Sequence, residues 1–403
     1  MQDAAPHLPR DAAPPVLTTI DALAPFCTRA RAERLVALDT EFVWERTFLP
    51  RLGIVQLATP EEAAVVDMVA LPDPAPLWDL LRDGSVEVIT HAGKQDLQIL
   101  GVRSGTYPER VFDTQIAAAV AGLGESIGYA PLVERLLQVT LHKIETRTDW
   151  LKRPLSERQV AYALDDVRYL LPVRESLLAR LDARKRRPWL DEEFGRMQTD
   201  LRSGVPADAE RYLNVKQRGR LKPRGLAILR ELAAWRESEA RRRDLPREWV
   251  ARDALLVEIS RRVPATPEAL AEIPGITPKD AARNGPALLD AVRRGLAIPE
   301  GELPALPSRD GRSNGPTDSA VDVLLTVVRA RAHRGHVAAT SVATRADIEA
   351  LVAHHLAGGA GAPPRLLTGW RKELVGSDLM RFLRGEIALR LHPKTGEPEI
   401  GSV

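Results

Sequence analysis

Two acidic residues separated by one position follow an apolar run near the start of the chain. The stretch RLVALDTEF, residues 34–42, places Asp39 and Glu41 directly after four apolar residues. Side chains two apart on a β-strand point to the same face, so these carboxylates project together. Unpaired charges on a core face would be costly, and a bound divalent cation such as Mg²⁺ or Mn²⁺ would resolve that cost. The alternative is a strand end that surfaces into a loop, which is the commoner explanation for an isolated pair.

Two further acids and a tyrosine occur later in the chain. Asp96 falls in the first turn of a helix predicted within VEVITHAGKQDLQIL, where the helix dipole alone could favour a carboxylate. In VAYALDDVRYLL, residues 160–171, Tyr162 and Asp166 are four apart and share a helix face. That face differs from the apolar stripe of Val160, Leu164, Val167 and Leu171. The alternative for this pair is an ordinary amphipathic helix with a surface tyrosine.

Taken together, the acidic residues form a set with one chemistry. Asp39, Glu41, Asp96 and Asp166 would be the ligands of a two-metal phosphoryl-transfer site, in which two cations about 3.5–4 Å apart hold the attacking and leaving oxygens. Tyr162 would orient the attacking water. Four oxygen ligands also remove the need for a cysteine or histidine cluster.

The elements that must position these residues suggest a mixed-sheet α/β domain. Strand patterns occur at 34–42, 51–59, 63–71 and 85–92, and the first three indicate an antiparallel meander. Helical patterns follow at 94–100, 114–123, 131–140 and 156–181. Ser156 and Gln159 have capping-box spacing at the start of the last helix.

From about residue 210 the pattern becomes helical throughout. Thr266–Pro267 and Thr277–Pro278 predict helix starts, and a Pro, Gly and Ser-rich stretch at 299–318 predicts a linker. A second helical block follows at 319–392. LLDAVRRGLAI at 288–298 resembles DLMRFLRGEIAL at 378–389, a short match that leaves an ancestral duplication open.

Composition limits the class of protein. The chain has 403 residues, 44% hydrophobic and 28% charged, which favours two or three globular domains. It contains no apolar run long enough for a membrane span, and its first residues have no secretory pattern. Cys27 is the only cysteine, which fits a reducing cytoplasm and excludes an internal disulfide. We expect a monomer with no obligate protein partner.

Basic residues are concentrated locally, although the formal net charge is only +2. Residues 215–230 contain six basic residues and no acidic one, and ARKRR occupies 183–187. These clusters are either solvated helix ends or sites of phosphate contact.

Three motifs resemble those of the DEDD exonuclease superfamily: LDTEF, HAGKQDLQIL and YALDDVRYL. The spacing of Tyr162 and Asp166 matches the tyrosine subclass. DTEFVWERTFLPRLGIVQLA and TDWLKRPLSERQVAYALDDVRYL are similar to the ribonuclease D family, and the helical block after residue 225 resembles the HRDC domain. LLTGWRKEL and RGEIAL fit a second, divergent copy.

The resemblance implies a fold and a domain order. It implies a ribonuclease H-like, DnaQ-type exonuclease domain with a mixed sheet at 17–205, an HRDC domain at 210–297 and an HRDC-like domain at 319–395. A disordered N-terminus at 1–16, the linker at 298–318 and a tail at 396–403 complete the prediction.

The resemblance also implies an activity: a metal-dependent 3′-5′ exoribonuclease that trims tRNA precursors and other small structured RNAs to release nucleoside 5′-monophosphates. Asp39, Glu41, Asp96 and Asp166 then take the metal-ligand places, and Tyr162 takes the catalytic tyrosine place. Arg218, Arg220, Lys222 and Arg224 are candidates for RNA phosphate contact.

Other acids and motif residues receive simpler interpretations. Asp165 neighbours a ligand but is interpreted as a helix-surface charge, Asp113 as an N-cap, and Asp67 as a strand-end residue. The residues within or beside the motifs to which no specific role is assigned are His91, Lys94, Gln56 and Trp150.

Three alternatives remain at this stage. The same motifs serve DNA 3′-5′ exonucleases, and no 2′-hydroxyl contact is visible in a sequence. A nucleic-acid-binding scaffold with a dead site would be expected to lack part of the acidic set, which is complete here. A hydrolase of other phosphate esters would leave the helical blocks without a purpose.

Overall fold

The computed structural model describes residues 16–141, 148–203, 207–304, 315–395 and 398–402. The chain divides into two compact units. Unit 1 contains the described residues within Met1–Phe42, Leu52–Arg202 and Ser313–Val403, and unit 2 those within Val43–Arg51 and Ser203–Arg312. The predicted disordered segment 1–16 lies outside the described residues except for its last position, and residues 305–314 of the predicted linker also lie outside them. None of the described helices is long and apolar enough to cross a bilayer.

Unit 1 is built on a six-stranded mixed sheet with the order β1-β4-β3-β2-β5-β6. Its strands are β1 Val16–Leu17, β2 Leu35–Val43, β3 Arg51–Ala58, β4 Ala63–Asp67, β5 Glu87–Thr90 and β6 Arg110–Asp113. β3 and β4 are antiparallel, whereas β2, β5 and β6 are mutually parallel neighbours and β1 is parallel to β4. The four predicted strands are present. β1 and β6 were not predicted because two and four residues are too few for a readable period.

Helices cover both faces of this sheet. They are α1 Ile20–Glu33, α2 Ala75–Arg82, α3 Lys94–Ser104, α4 Thr114–Val120, α5 Tyr129–Leu137, α6 Glu157–Arg168, α7 Leu170–Ala183 and α8 Arg187–Arg202. One apolar core contains Val36 and Leu38 with side chains of α1 to α3. The other contains Ala37 with side chains of α4 to α7. Alternate residues of β2 therefore face opposite cores, as the two-residue period of a strand requires.

The predicted helix at 156–181 is divided in two at Tyr169. The Tyr129 hydroxyl accepts a hydrogen bond from the Tyr169 backbone N–H at 3.2 Å and donates one to the Asp165 carbonyl oxygen at 3.1 Å. A side chain from α5 thus takes part in the backbone bonding where α6 ends and α7 begins. This interruption depends on a residue about 40 positions away in the chain, so it left no local signal.

Unit 2 contains the first helical block, with its own apolar core. Its helices are α9 Pro223–Arg243, α10 Arg247–Val250, α11 Asp253–Arg262, α12 Pro267–Ala271 and α13 Pro278–Ala297. Thr266 and Thr277 are the N-caps of α12 and α13, as predicted. Segment 43–51 also belongs to this unit: the Phe48 ring packs with Ala240 and Val250.

The second helical block belongs to unit 1. It comprises α14 Gly315–Arg334, α15 Ala339–Val342, α16 Arg345–Leu356, α17 Gly369–Arg371 and α18 Ser377–Leu383, the last two joined by the π-helical turn Lys372–Gly376. Strands β7 Ile387–Leu391 and β8 Pro398–Ser402 then pair antiparallel. The prediction of helices up to 395 and a separate tail at 396–403 differs here. The strand β7, IALRL, is too short to show a clear period, and β8, PEIGS, contains a single large apolar residue.

A buried polar contact attaches this second block to α8. The Arg371 side chain, 1% exposed, forms an ion pair with Glu193, and the Trp370 indole N–H donates to the same carboxylate at 2.9 Å. The rings of Trp189 and Trp370 stack with centroids 4.7 Å apart. Buried Arg186 donates to the carbonyl oxygen of His336 at 3.2 Å. The second block is therefore packed into the same unit as the mixed sheet.

Candidate active site

β2 carries the first two candidate ligands on one face of the sheet. Asp39 and Glu41 are partly buried and alternate with the buried residues Leu38 and Thr40. The Thr40 hydroxyl donates a hydrogen bond to the Asp96 carboxylate. This bond joins the first turn of α3, which begins at Lys94, to the strand that carries Asp39 and Glu41.

α6 brings the remaining two candidates to the same place. Its start is set by a complete capping box between Ser156 and Gln159. One turn further on, the Tyr162 hydroxyl is hydrogen bonded to the Asp166 carboxylate. Asp39 and Glu41 both interact electrostatically with Asp166, so the helix face predicted from the four-residue spacing is the one turned toward β2.

Burial and neighbouring acidic groups raise the pKa of all four carboxylates. Burial, followed by the charges of Asp166 and Asp96, raises the pKa of Glu41 to about 8. Burial raises the pKa of Asp166 to about 7, against a hydrogen bond from Tyr162 that lowers it. The pKa of Asp39 is raised well above its ordinary value by burial, then by Asp96, Asp166 and Glu41. These shifts indicate a concentration of negative charge that lacks compensation.

No cation from the described part of the chain neutralises this charge. Within those residues, none of the four carboxylates forms an ion pair with a lysine or arginine. Equally, no three acidic, histidine or cysteine side chains among them are arranged closely enough to hold an ion as they stand. The donor set fits a divalent cation in chemistry and charge, and small side-chain rotations would be needed to complete a coordination shell.

The neighbouring acids are occupied elsewhere. Asp165 forms an ion pair with Arg168 at 3.1 Å, consistent with a helix-surface charge. Asp113 is the N-cap of α4, as predicted, and accepts hydrogen bonds from the backbone N–H groups of Gln115 and Ile116. Asp67 ends β4, as predicted. It also forms a bidentate ion pair with Arg153, which the sequence analysis missed.

Three of the four motif residues without an assigned role have a side-chain contact, and the fourth, Gln56, is buried. Lys94 forms an ion pair with Asp200 at 2.7 Å. His91 Nδ1 lies 2.9 Å from the Thr114 hydroxyl, and burial lowers the pKa of its imidazole. Gln56 is fully buried in β3. Trp150 packs against Tyr162, with ring centroids 6.1 Å apart.

The predicted RNA-binding residues lie in unit 2 and differ in exposure. Arg220 and Lys222 are exposed, whereas Arg218 and Arg224 are partly buried. Arg224 donates hydrogen bonds to the carbonyl oxygens of Leu296, at 3.1 Å, and Ile298, so its guanidinium group also holds the end of α13. In the second basic cluster, buried Arg186 has a structural role as well.

Comparisons with known proteins agree with this architecture. Residues 14–182 match the family model described as 3′-5′ exonuclease, and residues 225–292 match the HRDC domain. Ribonuclease D from Acidiphilium cryptum is 39% identical over 381 residues, covering 93% of this chain and 94% of the relative. Ribonuclease D from Granulibacter bethesdensis is 36% identical over 390 residues, covering 94% and 95%.

Solved structures give the same result. Escherichia coli RNase D superposes with a TM-score of 0.82 at 35% identity, covering 92% of this chain and 98% of that one. The catalytic core of RRP6 from Trypanosoma brucei, at 21% identity and a TM-score of 0.55, covers 74% of this chain and 84% of that one and shares the fold.

The mixed sheet and the family match define a 3′-5′ exonuclease, a class of hydrolase that depends on divalent metal ions. The chain belongs to the ribonuclease D family, and it acts as a 3′-5′ exoribonuclease.

Proposed function

We propose that this exoribonuclease trims the 3′ ends of tRNA precursors and other small structured RNAs, and that it releases nucleoside 5′-monophosphates at a site with two divalent ions, Mg²⁺ or Mn²⁺. The related E. coli enzyme is described as an exoribonuclease involved in structured RNA processing, which supports this substrate class. Action in the cytoplasm as a monomer is part of the same proposal, and the single cysteine, a buried free thiol, suits that compartment.

The observation that carries the proposal is the charge of the four carboxylates, which forms no ion pair with a lysine or arginine among the residues that the structure describes. Burial raises the pKa of each of them, and neighbouring acidic groups add to that rise, an arrangement that is typical of a functional site. Asp39, Glu41, Asp96 and Asp166 would hold the ions. When bound, two divalent ions would supply an activated water and stabilise the oxygen that leaves the phosphodiester.

The residues of the chain have separable tasks in this scheme. The Thr40 hydroxyl fixes the Asp96 carboxylate, so that α3 and β2 present their acids together. Tyr162 is partly exposed, and burial together with the charge of Asp166 raises the pKa of its phenol, which keeps the hydroxyl protonated at neutral pH. A protonated phenol can donate one hydrogen bond and accept another, so Tyr162 can orient a water molecule for attack.

RNA would be held in part by the first helical block. Arg220 and Lys222 are exposed basic residues in a segment without acidic neighbours in sequence, which suits contact with phosphate groups. Arg218 and Arg224 belong to the same proposed surface, although the guanidinium of Arg224 is already used within unit 2. Such contacts position structured RNA without reading its sequence.

The test of activity uses a tRNA with extra 3′ nucleotides and a length-matched single-stranded DNA. Each is incubated with Mg²⁺, Mn²⁺ or EDTA. We expect stepwise shortening of the RNA that EDTA abolishes and that Asp39→Asn removes while the protein stays folded. Trimming at wild-type rates by Asp39→Asn would refute the ligand assignment. Faster cleavage of the DNA than of the RNA would show that DNA is the preferred substrate.

A second test detects metal binding through protein stability and needs no activity assay. The folded pKa values of Asp166 and Glu41, about 7 and about 8, lie above the ordinary values of 3.8 and 4.5. Stability from such groups is present at low pH and is lost as pH rises through the folded pKa. In EDTA, the free energy of unfolding should therefore fall as pH rises from about 4 to about 8, the interval between the ordinary and the folded pKa values, and added Mg²⁺ or Mn²⁺ should restore it. Asp166→Asn should flatten both responses, whereas an unchanged metal response in that variant would remove Asp166 from the ligand set.

A further inference from the structure

A buried ion pair links the end of β4 to the segment that precedes α6. Arg153 donates from Nε to Asp67 Oδ2 at 2.6 Å and from Nη2 to Oδ1 at 2.7 Å. The Asp67 side chain is 5% exposed, and its Oδ1 also accepts hydrogen bonds from the backbone N–H groups of Val69 and Ala70. The aspartate is thus fixed by the backbone, and it in turn fixes the plane of the guanidinium group.

The remaining donors of Arg153 hold the backbone around Trp150. Nη1 donates to the Trp150 carbonyl oxygen at 2.8 Å, and Nη2 donates to the Gly53 carbonyl oxygen of β3 at 2.8 Å. The approach is close: a Cβ at Gly53 would lie 2.5 Å from the Trp150 carbonyl oxygen. One guanidinium group therefore attaches the segment at 150–153 to two strands of the sheet.

This segment sets the position of Tyr162 in two ways. The Trp150 ring, 6% exposed, lies against the Tyr162 ring with an interplanar angle of 35°. The same segment leads within three residues to Ser156, whose side chain caps α6, the helix that carries Tyr162. A displacement of the Arg153 attachment would thus be transmitted both to the ring and to the start of its helix.

We infer that Arg153, oriented by Asp67, is a positioning residue for Tyr162. The inference rests on the proposed role of Tyr162 in orienting the attacking water. Arg153 contacts neither the substrate nor the proposed ligands in this account: it acts through Trp150 and the start of α6. The planar fork is essential, because the side chain binds one carboxylate and three backbone carbonyl groups, those of Trp150, Lys152 and Gly53, at once. A lysine ammonium on a flexible stem does not reproduce this.

A double-mutant cycle with Arg153→Lys and Tyr162→Phe tests this inference in the full-length enzyme. Arg153→Lys retains the charge and loses the fork. In the wild-type background we expect it to lower kcat about tenfold with little change in KM, as a misplaced reacting group does. In the Tyr162→Phe background it should change kcat by less than about twofold, because the hydroxyl that it positions is already absent.

A matched control comes from an ion pair elsewhere in unit 1. Arg174 donates from Nε to Glu87 at 2.7 Å, and its side chain is 18% exposed, against 22% for Arg153. It joins α7 to β5 and lies over the Phe112 ring. Arg174→Lys should lower stability to a similar extent, and any effect on kcat should be the same in the wild-type and Tyr162→Phe backgrounds, because it acts through no contact with the tyrosine ring.

Protein folding is checked in each variant by denaturant unfolding at the assay temperature. If Arg153→Lys does not fold, Asp67→Asn replaces it in the same cycle, since an asparagine still accepts from the backbone N–H groups while it loses the charge. Equal reductions in both backgrounds would show a general stability effect and overturn the inference, as would a wild-type rate for the single variant. A wild-type rate for Tyr162→Phe alone would overturn the proposed role of the tyrosine, and Arg153 would then have nothing to position.

Discussion

The two helical blocks share a short sequence match but are integrated differently into the protein. The first block forms its core within unit 2, where segment 43–51 contributes Phe48. The second block is part of unit 1, and its attachment buries Arg371 against Glu193 of α8. A charge is expensive to bury, so Arg371 makes the second block a component of the nuclease body rather than an appendage.

The difference separates two tasks that a repeated module could share. A block with its own core can present exposed basic residues such as Arg220 and Lys222 to RNA without affecting the sheet that carries the candidate ligands. The second block also has an apolar core of its own residues, but its Trp370 and Arg371 are bonded to Glu193 of α8. We therefore propose that the first block mainly binds RNA and that the second mainly supports the nuclease.

The largest expected effect comes from removing Arg371. Arg371→Ala leaves the Glu193 carboxylate buried without its counter-ion and should lower the free energy of unfolding of unit 1 by about 3–5 kcal/mol. Trimming of a short unstructured RNA should fall with it, because the block and the sheet share one unit. Denaturant unfolding and single-turnover cleavage of the short RNA measure the two effects.

Arg236 supplies the matched variant in the first block. Its side chain is 8% exposed and pairs with Asp253 at 2.7 Å, wholly within unit 2. Arg236→Ala should destabilise unit 2 to a similar degree and leave cleavage of the short RNA near the wild-type rate. Equal losses of that activity in the two variants would contradict the distinction between the blocks.

Acidification should give a smaller effect on the same attachment. Burial raises the pKa of Glu193, but the hydrogen bonds and charge of Arg371 outweigh it and hold that pKa below its ordinary value of 4.5. The contribution of this carboxylate is therefore present above about pH 4.5 and is lost as the pH falls through its lower folded value. The difference in unfolding free energy between wild type and Glu193→Gln, about 1.5–3 kcal/mol near neutral pH, should shrink below that point. A difference that stays constant down to about pH 3 would argue against an ionised Glu193.

The smallest expected effect concerns exposed basic residues. Arg220→Ala with Lys222→Ala should weaken tRNA binding several-fold, with stability unchanged. Because two phosphate contacts are lost, the slope of log affinity against log salt concentration should become shallower by about two. Arg384→Ala with Lys394→Ala, two basic positions in the second block, is the control and should change binding less. Arg224→Ala should lower stability as well, because its guanidinium holds the end of α13. Filter binding at several salt concentrations distinguishes these outcomes.

Local patterns in the sequence predicted much of the fold and the convergence of the candidate ligands. The two-residue spacing of Asp39 and Glu41, the four-residue spacing of Tyr162 and Asp166, and the cap at Ser156 each depend on neighbours within one or two turns. The structure brings these residues to one place, although their role as metal ligands stays a prediction.

The features that sequence analysis missed depend on distant partners. Arg371 and Glu193 are 178 positions apart, and Arg153 and Asp67 are 86 apart, so neither pair produces a periodicity or a spacing that a single sequence displays. The hairpin of β7 and β8 was missed for a related reason. It is defined by the antiparallel pairing of its two strands, and neither strand shows a regular alternation of apolar and polar residues.

The composition of unit 1 has a consequence for how the enzyme is made in the cell. Its sheet is translated first and its second helical block last, with the whole of the first block synthesised between them. On a nascent chain, the Glu193 carboxylate therefore lacks its partner Arg371 until a further 178 residues, more than a third of the protein, have been translated. The nuclease body is therefore complete only after the second block has been synthesised.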